Sequence, residues 1–289
     1  MNIIKKFSTI LAMTVVTTVL FSIKACTKEL PTEGLGVITM TTMASEVSFF
    51  VAGARDIAID WGDGRRSSVN DASLDENSGN FRFSQDFSGE TARNIVITGN
   101  VTRLDCARSQ LTALDVSRSS ELTELDCSGN QLTALDVSRN TALTHLYCGG
   151  NQLTALDVSR NTELKIIRCS RNRLTTIDLG NNTALEGLNV DRNQLTALDV
   201  SRNTALIGLN INYNQIVSLD FSKNTALFSL SLVGNQFTAD ALNDLFRSLP
   251  ETSGGIIFLG YRNGAGNPGN QYCDDSIARS KGWDFRSSY

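Results

Sequence analysis

The chain has 289 residues, of which 41% are hydrophobic and 19% charged, and its formal net charge is −4. Setting aside Lys5, Lys6 and Lys24 takes the balance to −7, which disfavours a nucleic-acid binder, where a basic excess is expected. A single histidine, His145, disfavours histidine-rich metal sites and most triad chemistry.

Residues 1–25 read as a lipoprotein signal peptide. Lys5 and Lys6 make a positive start, Phe7 to Ile23 is apolar, and Ala25-Cys26 follows directly. A run of about 17 residues lies at the bottom of the membrane-spanning range, so a permanent anchor helix is the weaker reading. Ile23-Lys24-Ala25-Cys26 resembles a bacterial lipobox, with Lys24 where a small residue is usual. That resemblance implies lipidation of Cys26 and attachment to a membrane through the lipid alone. Thr27-Lys28-Glu29 resembles the short charged export signal of Bacteroidetes surface lipoproteins, which implies an exported, surface-exposed outer-membrane protein. Residues 26–34, with Pro31 and Gly34, then form a tether.

Residues 35–99 carry short alternating runs: Val37-Ile-Thr-Met-Thr-Thr, Val47-Ser-Phe-Phe-Val, Asp56-Ile-Ala-Ile-Asp-Trp, Phe81-Arg-Phe and Asn94-Ile-Val-Ile-Thr. Turn clusters separate them, so a small antiparallel β-sandwich is expected. Asp60-Trp61-Gly62-Asp63-Gly64 resembles the turn of polycystic-kidney-disease (PKD) domains, which have an immunoglobulin-like fold. Asp60 and Asp63 could hold a cation, but Asp-Gly in a tight turn explains them more simply.

From Val101 the chain repeats every 21 residues, and seven copies reach Arg247; residues 100–247 form this region. In Leu122–Ala142, LTELDCSGNQLTALDVSRNTA, positions 1, 4, 6, 11, 14 and 16 are apolar. Leu125-Asp126-Cys127 alternates as a strand does. Position 9 is Asn130, Asn151, Asn172, Asn193, Asn214 and Asn235. Stacked amides there would pair backbone groups that are otherwise buried alone. A second column follows at Asn140, Asn161, Asn182, Asn203 and Asn224.

The spacing LxxLxCxxNxL resembles a leucine-rich repeat, and the cysteine-bearing 21-residue variant resembles repeats of the internalin J type and their Bacteroidetes relatives. The expected fold is mainly β: a leucine-rich-repeat solenoid of seven coils, with the β-sandwich as N-terminal cap. A parallel sheet should line the concave side and short extended segments or turns the convex side, over a length of roughly 34 Å. Position 6 holds Cys106, Cys127, Cys148 and Cys169, expected as a buried row packed like small hydrophobes. In-register parallel neighbours suit neither disulfides nor a zinc tetrahedron.

On the convex side Asp115, Asp136, Asp157, Asp178, Asp199 and Asp220 form a carboxylate column. Arg118, Arg139, Arg160, Arg202 and Lys223 follow three residues later, and either they or the next turn's backbone N–H groups can offset it. This makes a calcium ladder the weaker alternative.

Residues 248–289 form a C-terminal cap, entered from a helix that Thr238 can start and Pro250 stops. Its apolar face is Leu242, Leu245, Phe246 and Leu249. A closing strand at Ile256-Ile-Phe-Leu and a short helix near 273–281 follow.

Repeat folds concentrate function where the coils differ. Strand positions 3 and 5 and turn position 8 gather His145, Tyr147, Arg168, Arg171, Asn189, Arg192, Asn210 and Tyr213 beside Gly187 and Gly208. Tyrosine and arginine are frequent interface anchors, and the glycines would leave a shallow floor. These eight residues are the expected ligand-binding set. Catalysis is not expected: Cys148 should point inward and His145 outward, no phosphate-cradling loop occurs, and neither cofactor nor metal is implied. The expected function is a cell-surface binding or adhesion module, acting as a monomer on a host or bacterial surface protein. The family resemblance implies attachment, co-aggregation or biofilm formation. A surface glycan-binding accessory lipoprotein is the alternative.

Overall fold

In the computed structural model the described residues are 35–53, 56–75, 79–89, 91–260 and 266–286. The expected signal peptide, the lipidated Cys26 and the tether lie outside them. No helix among the described residues is long and apolar enough to cross a membrane.

The N-terminal region contributes β1 (Val37–Thr42), β2 (Glu46–Gly53), β3 (Ala58–Asp60), β4 (Arg66–Ser68), β5 (Ser73–Asp75), β6 (Asn80–Asp86) and β7 (Arg93–Thr98). Alternation in β1 and β2 sends Ile38, Met40, Val47, Phe49 and Val51 into one core. Trp61 is fully buried, with its ring centroid 5.6 Å from that of Phe49 and 6.2 Å from that of Phe87. Its indole N–H donates to the Ser67 hydroxyl at 2.9 Å.

The first coil follows as β8 (Val101–Asp105) and β9 (Leu111–Asp115). Its two sides are where the sandwich joins on. Strand β2 pairs antiparallel with β8, Phe50 opposite Asp105, while β1 pairs antiparallel with β9, Met40 opposite Leu114. One sheet of the sandwich, in the order β4-β3-β7-β1-β9, therefore ends on the convex side of the first coil. The other continues into the concave sheet, so twelve strands run without a break. Apolar groups that an open coil would expose are covered by the sandwich core.

Three-residue strands then stack in parallel at the 21-residue step: β10 (Glu124–Asp126), β11 (His145–Tyr147), β12 (Ile166–Arg168), β13 (Gly187–Asn189), β14 (Gly208–Asn210) and β15 (Ser229–Ser231). All six apolar positions of the second copy are buried: Leu122, Leu125, Cys127, Leu132, Leu135 and Val137. The convex segments of copies two to six form no strand and pass through turns, with single bonds between coils such as Gln152 N–H to the Leu132 carbonyl at 2.9 Å.

Each asparagine of the first column joins two coils. Asn172 Nδ2 donates to the carbonyls of Cys148 and Cys169 at 3.0 and 3.1 Å, and its Oδ1 accepts the Leu153 N–H at 2.9 Å. The second column works from the convex turn, where Asn161 Nδ2 donates to Val137 and Asn140 carbonyls at 2.9 and 2.8 Å. The end coils depart from the pattern. Position 9 of the first copy is Ser109, whose hydroxyl donates to the Ser48 carbonyl at 3.2 Å and so ties the coil to the sandwich. Beyond the seventh copy, Asn267 extends the first column: its Oδ1 accepts the Asn235 N–H at 3.1 Å and its Nδ2 donates to Leu232.

The seventh copy exchanges its convex segment for α1 (Ala239–Ser248), which Thr238 caps by accepting the Ala241 N–H at 3.2 Å. Leu242, Leu245, Phe246 and Leu249 are buried beneath it. Lys281 Nζ donates to the Arg247 and Leu249 carbonyls, answering the open C-terminal end of the helix. Strand β16 (Gly255–Phe258) joins β15 in parallel; it does not close the sheet, because after α2 (Ser276–Arg279) a further parallel strand, β17 (Trp283–Arg286), is added to it.

Candidate functional site

Parallel pairing in strict register turns each repeat position into a row across the concave face. Position 3 runs from Arg103 through Glu124, His145, Ile166, Gly187 and Gly208 to Ser229. Position 5 runs from Asp105 through Asp126, Tyr147, Arg168, Asn189 and Asn210 to Ser231, and the cap extends it with Phe258.

Position 5 has a structural duty as well. The Oδ1 atoms of Asp105 and Asp126 accept the N–H two residues ahead, at 3.1 and 2.9 Å. Asn189 and Asn210 make the same bond, both at 3.0 Å, to Asp191 and Asn212. Such a bond turns the chain sharply out of the strand. Asn189 and Asn210 thereby commit their acceptor to the backbone and present the amide Nδ2 donors to solvent.

A hollow of about 440 Å³ opens on this face over coils four to seven. Gly187, Gly208 and Ser229 form its floor, Ile166 and Arg168 one wall and Phe258 the other, with Asn189, Asn210 and Ser231 along the side. The glycine floor is real: a Cβ at Gly187 would stand 2.8 Å from Ile166 Cδ1, whereas one at Gly208 would meet nothing within 4 Å.

Of the eight expected residues, Arg168, Asn189 and Asn210 line the hollow. His145 and Tyr147 sit on β11, one coil toward the N-terminus, with ring centroids 6.3 Å apart. Thr144 Oγ1 lies 2.9 Å from His145 Nδ1. The Arg168 guanidinium lies 5.4 Å above the Tyr147 ring, which couples that pair to the hollow. Partial burial raises the Tyr147 pKa above its ordinary value, so the phenol stays neutral across the physiological range.

Arg171, Arg192 and Tyr213 occupy the turn beside the strands, and their backbone is unusual. They have φ of 54°, 53° and 51°, the left-handed region, as does Arg108 at 57°. At the same repeat position Gly129, Gly150 and Gly234 have φ of 68°, 66° and 67°. The scaffold thus asks for glycine there, and four copies carry a large side chain at a backbone cost of roughly 1–2 kcal/mol each. These side chains lean toward the next coil: Arg192 stands 4.2 Å above the Tyr213 ring, and Tyr213 covers Gly234. Asp191 lies beside Arg192, its Oδ2 3.7 Å from Nε; burial raises its pKa and the two arginines, Arg192 and Arg171, oppose that rise.

Ile166, Ser229, Ser231 and Phe258 are hollow residues absent from the expected set. The first three stand on the same strand rows and were legible as positions 3 and 5. Phe258 follows its row neighbour Ser231 by 27 residues, so a 21-residue period does not reach it.

Beneath this face Cys106, Cys127, Cys148 and Cys169 form the buried row, all as free thiols. Burial pushes each thiol pKa up, that of Cys169 to about 12, so they are unreactive packing groups. On the convex side the backbone meets the carboxylate column: Asp115, Asp136, Asp157, Asp178, Asp199 and Asp220 each accept the N–H two residues on, at 2.8–2.9 Å. The Asp60 and Asp63 carboxylates are likewise bound within their turn, to Gly62 N–H and to Arg65. Among the described residues no group of three or more His, Cys, Asp or Glu is placed to hold a metal ion.

The family of leucine-rich repeats (two copies) matches residues 120–161. Among solved structures, the chain is similar to the functional domain of InlJ from Listeria monocytogenes, which includes a cysteine ladder. Identity is 27%, over 64% of this chain and 50% of that one, with a TM-score of 0.46. A leucine-rich-repeat protein of Leptospira interrogans shares 20% identity over 65% of this chain and 55% of that one, TM-score 0.48. An internalin, InlF, from Listeria monocytogenes shares 22% over 57% and 54%, TM-score 0.44. The chain spans about half the length of these structures, and no curated protein matches it. The chain is a mainly β solenoid of the leucine-rich-repeat fold.

Proposed function

We propose that the protein is a cell-surface binding module whose concave face engages a protein of a host or of a neighbouring bacterium, in attachment, co-aggregation or biofilm formation. One observation carries the reading. Tyrosine and arginines sit at turn positions whose backbone favours glycine, beside a glycine-floored hollow. A strained backbone kept for the sake of large exposed side chains points to those side chains being used. The test is adhesion or ligand capture by an Arg171→Gly/Arg192→Gly/Tyr213→Gly variant and by a Tyr147→Ala/Arg168→Ala variant; binding by both equal to the parent overturns the proposal. A surface glycan-binding accessory role is the second reading, supported by the aromatic and amide groups of the same face, and a glycan array separates the two. We further propose that Cys26 carries a lipid that holds a monomer on the outer membrane, facing outward, with residues 35–99 as a PKD-like domain. Loss of acyl labelling in Cys26→Ala tests the anchor.

A further inference from the structure

We propose that the hollow over coils four to seven seats a bulky apolar side chain of an acidic polypeptide segment, whose carboxylates lie along the arginines of coils four and five. This rests on the binding-module reading and narrows its partner. The walls, Ile166 and Phe258, are apolar, and the floor is open at Gly208, while Ile166 Cδ1 reaches over Gly187. A space of about 440 Å³ accepts an aromatic or large aliphatic group. Its polar rim supplies donors: Arg168, and the Nδ2 groups of Asn189 and Asn210, whose acceptor oxygens are already taken by backbone N–H groups at 3.0 Å. In the turns that follow these strands stand Arg171 and Arg192, both exposed, in a chain whose net charge is −4, with Asp191 beside Arg192 and Glu186, 3.9 Å from Lys165, at the strand entry. These two arginines hold the left-handed backbone that glycine fills in other coils. A ligand that combines negative charge with an apolar side chain satisfies both halves of the surface. A sulfated polysaccharide would satisfy the charge and leave Ile166 and Phe258 idle, and a neutral glycan would leave the arginines unmatched.

Gly208 allows a clean test, because a Cβ there meets nothing within 4 Å. Gly208→Val therefore puts a branched side chain into the floor of the hollow and leaves the charge unchanged, with circular dichroism and the melting temperature checking that the fold is kept. The probes are three labelled polymers followed by fluorescence anisotropy: a random Glu/Tyr copolymer, poly-glutamate and heparin. The parent protein should bind the copolymer about tenfold more tightly than poly-glutamate. Gly208→Val should reduce the copolymer to the poly-glutamate level and leave poly-glutamate unchanged. Arg171→Glu/Arg192→Glu should weaken both by about tenfold or more and flatten their salt dependence. Copolymer binding by Gly208→Val equal to the parent's overturns the proposal, as does tighter binding of heparin than of the copolymer, or binding of none of the three. In each such case the broader reading is judged separately, by whether Arg171→Gly/Arg192→Gly/Tyr213→Gly or Tyr147→Ala/Arg168→Ala still loses adhesion.

Discussion

Coils one and two and coils five and six build the same strand exit with different side chains. In the first pair the carboxylates of Asp105 and Asp126 accept the N–H two residues ahead; in the second pair the amides of Asn189 and Asn210 do so at nearly the same distance. One oxygen serves the backbone in all four. What differs is the group left over, a second carboxylate oxygen in one region and an N–H₂ donor in the other. Around Asp105 and Asp126 stands Glu124, paired at 2.6 Å with Arg103, whereas around Asn189 and Asn210 stand Arg168, Arg171 and Arg192. The concave face therefore changes from mixed charge, with Asp105, Glu124 and Asp126 against Arg103 and Arg108, to donor-rich along its length while the solenoid beneath stays uniform. Surface chemistry and scaffold chemistry can be varied apart, a property that suits a repeat protein to evolving a binding face.

The largest effect should come from breaking what the two regions share. Asn151→Ala and Asn193→Ala each remove an acceptor for one buried N–H, of Leu132 or Leu174, and a donor to two buried carbonyls. Leaving such groups unpaired costs roughly 1–3 kcal/mol apiece, so each variant should lose about 3 kcal/mol or more in urea unfolding. Similar losses in coil three and coil five are expected of a uniform scaffold. A loss confined to one coil region would show that the two halves are not built alike.

Smaller effects should separate the glycine copies of the turn from the arginine copies. Gly234→Ala puts a Cβ 2.7 Å from the Tyr213 ring at a φ of 67°, and should cost about 1–2 kcal/mol. Arg171→Gly, at a φ of 54°, relieves backbone strain but adds freedom to the unfolded chain, so its stability should change by less than about 1 kcal/mol. Binding should fall all the same. An Arg171→Gly that is strongly destabilised would mean its side chain serves the fold, against the reading of this column as a binding device.

The repeat period made the shared features legible. Six apolar positions, both asparagine columns and the cysteine row recur every 21 residues, and each lies where its row predicts. The left-handed turn was also written in the sequence, since Gly129, Gly150 and Gly234 alternate with arginine and tyrosine at one position; it is read once φ is known. Two features escape a period altogether. Pairing of β2 with β8 and of β1 with β9 joins residues 48 to 76 positions apart, in segments whose alternation is compatible with many partners. The hollow's far wall, Phe258, enters after a helix, so its register depends on how long α1 is and not on the repeat.

Exchanging the leftover groups tests the comparison more finely. Asp126→Asn and Asn210→Asp keep the backbone-accepting oxygen, so each should move stability by no more than about 0.5 kcal/mol. Their effects on binding should differ. Asn210→Asp puts a carboxylate beside the hollow and should repel an acidic ligand; Asp126→Asn, two coils away from Arg168, should leave its binding almost unchanged.

The smallest expected effect is a dependence on pH with opposite signs on the two sides of the coil. Burial raises the Asp105 pKa, opposed by the Ala107 N–H, with the charge of Asp126 adding to the rise. A carboxyl that holds its proton more tightly when folded favours the folded state at low pH; that contribution is lost as pH rises from the ordinary carboxylate value to the raised one. Asp136, Asp157 and Asp199 on the convex side behave in reverse, because the hydroxyl and N–H of Ser138, Ser159 and Ser201 lower their pKa values. Their contribution is present above the ordinary value and is lost as pH falls through the lowered one. Asp105→Asn keeps the oxygen that Ala107 N–H requires and removes the titration. Melting temperatures of parent and variant, compared at pH 3.5 and pH 7, should therefore differ more in the variant's favour at pH 7. A gain that grows on acidification instead would mean Asp105 is stabilised as its anion, and the N-terminal half of the concave face would then be held together by charge as well as by backbone geometry.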